Sequence, residues 1–310
     1  MSLDDGKNDT NTDIPSYSSD EELIKVLIDN DTYVSPYDAT DETYGADVTL
    51  IPDPDSYDWG NLAEINERAT QIENQYGISI YLGKEVPTQI DYYSIRQETD
   101  YDKLDNAMYA LENALSYYPE GFFEQLRYGD VRGLRLYLTG SVSSDSTDMI
   151  NEAAGFVNVI NNYDVMVLDC NYSWDWSYTI GHEMSHLIDQ KLSFIHSYNE
   201  KSLYSEEKWS SFNPDNFSYN DTYSGYDPDS SQNVSTKYFI DSYGMTYATE
   251  DRAEIFGTAI DNYTNGINDD SRFYAGSPIH DKLDYYCKCI RDGFDTSEWS
   301  DELPWEAVLH

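Results

Sequence analysis

The sequence has few basic residues and no long apolar run. Lysine and arginine together number 18, against 59 aspartate and glutamate residues, so the net charge is −41 at neutral pH. A field of that sign repels phosphate groups, and nucleic acid is therefore excluded as an expected partner. No stretch approaches the roughly 18 consecutive apolar residues that a membrane-spanning helix needs, so we predict no transmembrane segment.

Cysteine is scarce as well. The three cysteines, Cys170, Cys287 and Cys289, are odd in number and lack the Cys-x-x-Cys spacing of a zinc knuckle. Their number and spacing exclude a disulfide framework and a structural zinc site built from cysteine. We interpret all three as buried structural residues.

The start of the chain contains little that could pack in a core. Residues 1–18 are predicted to be a disordered polar tether, of the kind that follows a removed secretion signal or a lipid-anchored cysteine. We therefore expect a protein that is secreted or attached to the cell surface, with a lipid anchor before residue 1 as one alternative. Residues 19–310 are predicted to form one domain with two lobes around a cleft, and a monomer is expected.

What is present is a mixed α and β pattern. Apolar residues at helical spacing predict helices over 62–76, where Gly77 follows as a cap, and over 104–115. Shorter apolar runs predict strands at 78–82, 133–140, 154–160 and 164–169. The predicted fold class is therefore α+β with a small mixed sheet.

A polar stretch at 195–237 interrupts this pattern. It is dense in asparagine, aspartate, serine and tyrosine, and we predict that it is an insertion bordering the cleft. Its acidic residues lack the spacing of a calcium-binding loop, so a mobile polar loop is preferred to a Ca²⁺ site.

The stretch YTIGHEMSHLID, residues 178–189, contains a His-Glu-x-x-His motif. On a helix predicted over 174–192, His182 and His186 lie one turn apart on one face, where both rings can reach a zinc ion at about 2.0–2.1 Å. Glu183 projects beside them as a candidate general base. The alternative is a surface helix with an accidental pair of histidines.

A catalytic zinc site needs a third protein ligand. A third histidine six residues after the second is excluded, because that position is Leu192. Glu250 and Glu254 lie one turn apart on a second predicted helix, which Thr249 could cap. One carboxylate would bind the metal and the other would accept the free ring N–H of a ligating histidine, and spacing alone leaves open which does which.

The string SYGMTYATEDRAEIF, residues 242–256, narrows this choice through a resemblance. It is similar to the segment that follows the zinc helix in the catalytic domain of anthrax lethal factor and related secreted zinc peptidases of Gram-positive bacteria, including the Pro-Pro endopeptidases. The shared features are a Tyr-Gly pair, a glutamate seven residues beyond that tyrosine, and Ala-Glu-x-Phe. The aspartate three residues after the second histidine, Asp189, agrees as well.

The resemblance implies a zincin-like fold and a gluzincin-type site with one Zn²⁺ per chain. In such a site His182, His186 and Glu250 bind zinc, Glu183 is the general base and Tyr243 stabilises the transition state. The resemblance also implies that Glu254 and Asp189 support the metal ligands without binding the metal themselves. The expected function is a zinc-dependent endopeptidase acting on extracellular proteins or peptides. The alternative is a surface protein that uses the same fold to hold peptide or glycan without cutting it.

Substrates of such enzymes bind beside an edge strand. The strand at 154–160 is our candidate for that edge, with an ordinary core strand as the alternative. Trp174 and Trp176, at the start of the zinc helix, are interpreted as packing residues rather than recognition residues.

Overall fold

The computed structural model describes residues 59–91, 93–143, 153–223 and 236–310. The predicted tether, 1–18, lies outside these ranges. So do residues 19–58 of the predicted domain and residues 224–235 of the polar stretch.

The helices of the described ranges carry most of the predicted pattern. They are α1 (Ala63–Tyr76), α2 (Tyr101–Leu115), α3 (Phe122–Gln125), α4 (Trp176–Tyr198), α5 (Glu206–Ser210), α6 (Ala248–Asn265) and α7 (Pro278–Gly293). Helix α1 ends at Gly77, which has a φ of 66° and donates its N–H to Glu73, as predicted for a helix cap. Helix α4 runs six residues further than the predicted end at residue 192, because Ile195 continues its buried face.

A six-stranded mixed sheet forms the other half of the fold. Its strands are β1 (Ser79–Tyr81), β2 (Gln89–Ile90), β3 (Tyr93–Gln97), β4 (Leu134–Ser143), β5 (Gly155–Ile160) and β6 (Tyr163–Asp169). The order is β2-β3-β4-β6-β5, and β1 pairs with β4. Strands β1 and β6 run parallel to β4, whereas β3 and β5 are antiparallel to their neighbours. The α+β class with a small mixed sheet is confirmed.

Strand β5 lies at the edge of this sheet and pairs with β6. The two strands form a hairpin whose turn contains Asn161 and Asn162 at φ values of 52° and 66°. Asparagine tolerates this left-handed conformation better than most residues, which explains the tight connection. The predicted edge position of 154–160 is confirmed over the core-strand alternative.

Both faces of the sheet are covered. The helices pack on one face, where Leu134, Leu136 and Leu138 of β4 join the main hydrophobic core. Tyr137, between them in sequence, belongs to a second cluster on the opposite face, which also includes Ile90 of the β2–β3 hairpin. This hairpin, which extends the sheet beyond β4, was not predicted from the sequence.

Several smaller predictions can be compared with the structure. The three cysteines are buried and unpaired, which confirms their structural interpretation. Trp176 is fully buried, but Trp174 is 80% exposed, so its interpretation as a packing residue was wrong. Residues two apart on a helical stretch point to different sides, and only one of them can face the core.

Among the described residues, no helix is both long and apolar enough to cross a membrane.

Candidate metal centre

Helices α4 and α6 cross at two glycines. A Cβ atom on Gly181 would lie 3.1 Å from Gly257 Cα, and one on Gly257 would lie 3.0 Å from the carbonyl oxygen of Tyr178. Contacts this short leave no room for a side chain, so glycine at both positions allows the two backbones to touch. Because Gly181 directly precedes His182, the crossing brings the carboxylates of α6 up to that histidine.

Three donor atoms converge at the crossing. Glu250 Oε2 lies 3.2 Å from His182 Nε2 and 3.3 Å from His186 Nε2. Glu250 Oε2 is buried, and within the described part of the chain it has no hydrogen-bond partner of good geometry. A buried carboxylate oxygen facing two imidazole nitrogens fits a divalent cation, and this donor set is typical of zinc. His182, His186 and Glu250 therefore form a possible metal site.

Burial and neighbouring charges shift the pKa values of the site residues in opposite directions. Burial alone would lower the pKa of His182, but Glu250 and Glu254 outweigh it and hold that pKa well above its usual value. Burial would raise the pKa of Glu250, but the two histidines keep it well below the usual range. The Glu250 carboxylate is thus ionised, as a metal ligand must be, whereas a metal ion would have to displace the proton that the raised pKa keeps on His182.

The second glutamate of α6 lies behind His182. Glu254 Oε1 is 3.1 Å from His182 Nδ1, and the same oxygen accepts a hydrogen bond of 2.6 Å from the hydroxyl of Tyr178. The resemblance implied a supporting place beside a ligating histidine for Glu254, and that role stays a prediction. The predicted cap was wrong, since Tyr247 occupies the N-cap of α6 and Thr249 lies inside the first turn.

Glu183 and Tyr243 both line the cleft in front of the three donors. Burial raises the pKa of Glu183, although the two histidines oppose the rise. The ring of Tyr243 stacks on that of His182 with a centroid distance of 6.1 Å. Burial, followed by the charge of Glu250, raises the pKa of Tyr243, so its phenol stays protonated and can donate a hydrogen bond.

Asp189 does not take the position that the resemblance implied. Its Oδ2 accepts a hydrogen bond of 2.5 Å from Nε of Arg252, and Oδ1 has no partner among the described residues. Arg252 stands two residues after Glu250 on α6 and also binds Glu206 of α5 at 2.7 Å. Asp189 therefore joins α4 to α6 through an arginine, rather than supporting a histidine directly.

A third tyrosine reaches the site in addition to Tyr178 and Tyr243, and it was not predicted from the sequence. Tyr223 donates a hydrogen bond of 2.5 Å to Glu250 Oε1. It is one of 30 tyrosines and stands in the polar stretch that was treated as an insertion. No motif or periodicity marks it, so only the folded structure reveals the contact.

The cleft has a volume of about 910 Å³ and lies between β5 and the exposed side of α4. It is lined by the candidate metal ligands, by aromatic residues that include Phe156 and Phe194, and by further carboxylates such as Asp91. The lining found among the described residues contains no lysine or arginine. The cleft therefore has a negative potential, which favours cationic or neutral ligands.

Among the described residues, no strand pairs with the outer side of β5. Asp169 N donates to the carbonyl oxygen of Ala154, so alternate residues from Ala154 onwards turn their main-chain groups towards β6. Gly155, Val157 and Val159 then turn theirs outward. The N–H of Val159 is bonded to the Asn158 side chain, which leaves the stretch around Gly155 and Val157 for an added strand.

Comparison with known proteins adds a family match. Residues 132–272 match the family model described as a putative zinc-binding metallo-peptidase. The matched range covers somewhat less than half of the chain and includes every residue placed at the metal site above. No curated protein and no solved structure matches the chain.

The match supports a zinc metallopeptidase family, and with it hydrolase activity on peptides in general. Its description names neither lethal factor nor the Pro-Pro endopeptidases, so that relation stays a prediction.

Proposed function

We propose that this protein is a zinc-dependent endopeptidase of the gluzincin type, with one zinc ion per chain and extracellular proteins or peptides as substrates. The observation that carries the proposal is the convergence of His182, His186 and Glu250 in a cleft that also contains Glu183. Three protein ligands are the number that a catalytic zinc site uses, and a general base beside them is what peptide hydrolysis requires.

The chain's own residues have distinct tasks in this reaction. A zinc ion supplies Lewis acidity when bound, which polarises the scissile carbonyl group and acidifies a water molecule. Glu183 accepts a proton from the attacking water and passes it to the leaving amine, and its raised pKa suits both steps. Tyr243 donates a hydrogen bond to the carbonyl oxygen as negative charge develops there.

Substrate binding follows from the cleft. An extended peptide adds to β5 through the outward main-chain groups of Gly155 and Val157, which places its backbone beside Glu183. Aromatic residues of the cleft contact the side chains of the peptide. Secretion or attachment to the cell surface, and a monomeric state, belong to the same proposal and rest on the sequence.

A binding protein without catalysis is the second candidate. A protein that only holds peptide has no need of a general base, whereas here Glu183 lies in the cleft beside the ligand set. The presence of Glu183 therefore favours the enzyme.

The test is cleavage of a peptide library, analysed by mass spectrometry with and without a chelator. We expect zinc-dependent products, and we expect Glu183→Gln to keep its zinc while losing about 10²- to 10⁴-fold in turnover. Glu207→Gln, on the exposed side of α5, is the matched control and should cleave like the wild type. A zinc-loaded wild-type protein that binds peptides and cuts none would favour the binding protein.

A further inference from the structure

The two oxygens of Glu250 have different surroundings. Oε2 faces the two histidine nitrogens at 3.2 and 3.3 Å, whereas Oε1 accepts the hydrogen bond from Tyr223 at 2.5 Å. A carboxylate can bind a metal ion through one oxygen or through both. Here one oxygen already has a short, charge-assisted hydrogen bond on the side away from the histidines.

We propose that Tyr223 is a positioning residue for metal binding. By holding Oε1 it presents Oε2 alone to the ion, and it makes metal affinity depend on the chain segment 199–223 that carries it. The inference rests on the proposed metal site, but it does not require that the site hydrolyses peptides.

The phenol of Tyr223 is held in place by its neighbours. Its ring contacts those of Tyr243 and Tyr247, at centroid distances of 5.8 Å and 4.8 Å. The residues before it are bonded to the chain that leads into α6, since Asn220 N and Asp221 N donate to the carbonyl oxygens of Met245 and Thr246. Tyr223 therefore approaches Glu250 from a fixed backbone.

The segment is also fixed to α6 next to Glu250. Asp251 Oδ2 accepts hydrogen bonds from Tyr219 at 2.7 Å and from Trp209 at 3.1 Å, and Lys282 of α7 donates to it as well. Arg252 binds Glu206 of the same segment. Both residues that follow Glu250 on α6 thus hold the segment that supplies Tyr223, which couples the ligand and the segment.

The first experiment measures zinc affinity by competition with a zinc-binding dye, without any activity assay. Loss of a group that orients a ligand weakens metal binding by about 10- to 100-fold, and we expect this for Tyr223→Phe. Tyr109→Phe, whose ring is 70% exposed on α2, is the matched control and should bind zinc like the wild type. Unchanged affinity in Tyr223→Phe would overturn the proposal.

The second experiment separates positioning from general stability. Cobalt(II) replaces zinc in the protein, and its visible absorption reports the number of donor atoms, because the metal's geometry governs the spectrum. Removing the hydroxyl group of Tyr223 frees Oε1 to bind the metal together with Oε2. Tyr223→Phe should therefore shift the spectrum towards a higher coordination number and a weaker band. A spectrum identical to that of the wild type would show that Tyr223 does not set the binding mode of Glu250.

The third arm tests the segment. Tyr219→Phe removes a bond to Asp251 but leaves the phenol of Tyr223 in place, and we expect a smaller loss of zinc affinity than in Tyr223→Phe. An equal or larger loss would overturn the direct role of Tyr223. A wild-type protein that binds zinc but cuts no peptide would remove the proposed function and leave this inference standing.

Discussion

Buried polar groups of this protein fall into two kinds, and the metal centre differs sharply from the rest of the core. At the centre, Glu250 and Glu254 are surrounded by two histidines and two tyrosine hydroxyls. Elsewhere, both oxygens of Glu85 and both of Asp164 are buried with no hydrogen-bond partner among the described residues. Burial is similar in both regions, so the two histidine nitrogens that face Glu250, rather than burial, distinguish the candidate site.

The pKa values of the buried carboxyl groups differ between the two regions. The histidines hold the pKa of Glu250 low, so the buried carboxylate keeps its charge. Burial raises the pKa of Glu85 to about 8 and that of Asp164 to about 8, and both therefore tend to be protonated near neutral pH. An unpartnered buried acid avoids the cost of a bare charge in this way. A strongly shifted pKa in this chain is thus no sign of function by itself.

The largest expected effect concerns the two glutamates of α6. Glu250→Gln removes a proposed direct ligand and should weaken zinc binding by well over the roughly 100-fold that bounds the loss of an outer group. Glu254→Gln removes the support of His182 and should weaken binding by about 10- to 100-fold. A competition titration with a zinc-binding dye on both variants at one pH measures the difference.

Glu85→Gln is the control for that pair, because it changes a buried carboxylate that has no role at the site. Its zinc affinity should equal that of the wild type. If Glu254→Gln proved more damaging than Glu250→Gln, the two roles would be reversed, and the seven-residue register that links Glu250 to Tyr243 would no longer apply.

A smaller effect is expected for Tyr243→Phe. Loss of a donor to the developing oxyanion lowers kcat by about 100-fold, with little change in KM, because the hydrogen bond forms mainly in the transition state. Steady-state kinetics on a cleaved peptide provide the measurement. An unchanged kcat would show that Tyr243 has only a packing role.

Tyr118→Phe extends the comparison between the candidate site and the rest of the core from buried carboxyl groups to buried hydroxyl groups. The Tyr118 hydroxyl is buried without a hydrogen-bond partner in the part of the chain described here. Its removal should leave activity unchanged, and it should not destabilise the protein, since no bond is lost. Reduced activity in this variant would break the contrast between the two regions.

The smallest effect is a change in the pH dependence of stability. The pKa of Glu85 rises from an ordinary value of 4.5 to about 8 on folding. A raised folded pKa stabilises the protein fully below the unfolded value, and this stabilisation is lost as pH rises from about 4.5 through about 8. Between about pH 5 and pH 9 the free energy of unfolding of Glu85→Gln should therefore fall less steeply than that of the wild type.

Denaturant unfolding at the two pH values measures this difference. Glu73, with a pKa raised to about 7, remains in the variant and keeps part of the pH dependence. Exposed Glu67→Gln is the control and should follow the wild type at both pH values. Parallel curves for Glu85→Gln and the wild type would show that Glu85 is not held in its neutral form.

The parts of the fold that were predicted depend on local pattern. Helical periodicity located α1, α2 and α4, and the His-Glu-x-x-His spacing located two of the three candidate metal ligands. Local pattern located the helix of Glu250 and Glu254 too, but the choice between them needed the resemblance. These features are readable because the chemistry depends on residues one helical turn apart.

The missed features depend on contacts between distant segments. Asp189 pairs with Arg252, 63 residues away, and Tyr223 reaches Glu250 from a stretch without periodicity. The β2–β3 hairpin has strands of two and five residues, too short for an alternating pattern to stand out. Its turn depends on Asp91 at a φ of 53°, a conformation that no local motif marked.

The glycine pair at the helix crossing limits how far the candidate metal site can be distorted. Metal–ligand distances vary by only about 0.2 Å in a working site, whereas a methyl group on Gly181 or Gly257 would meet the opposite backbone at 3.0–3.2 Å and push the helices apart. The close approach of the two helices thus limits the distances between Glu250 and the two histidines, and with them the size of the ion that the candidate site could hold.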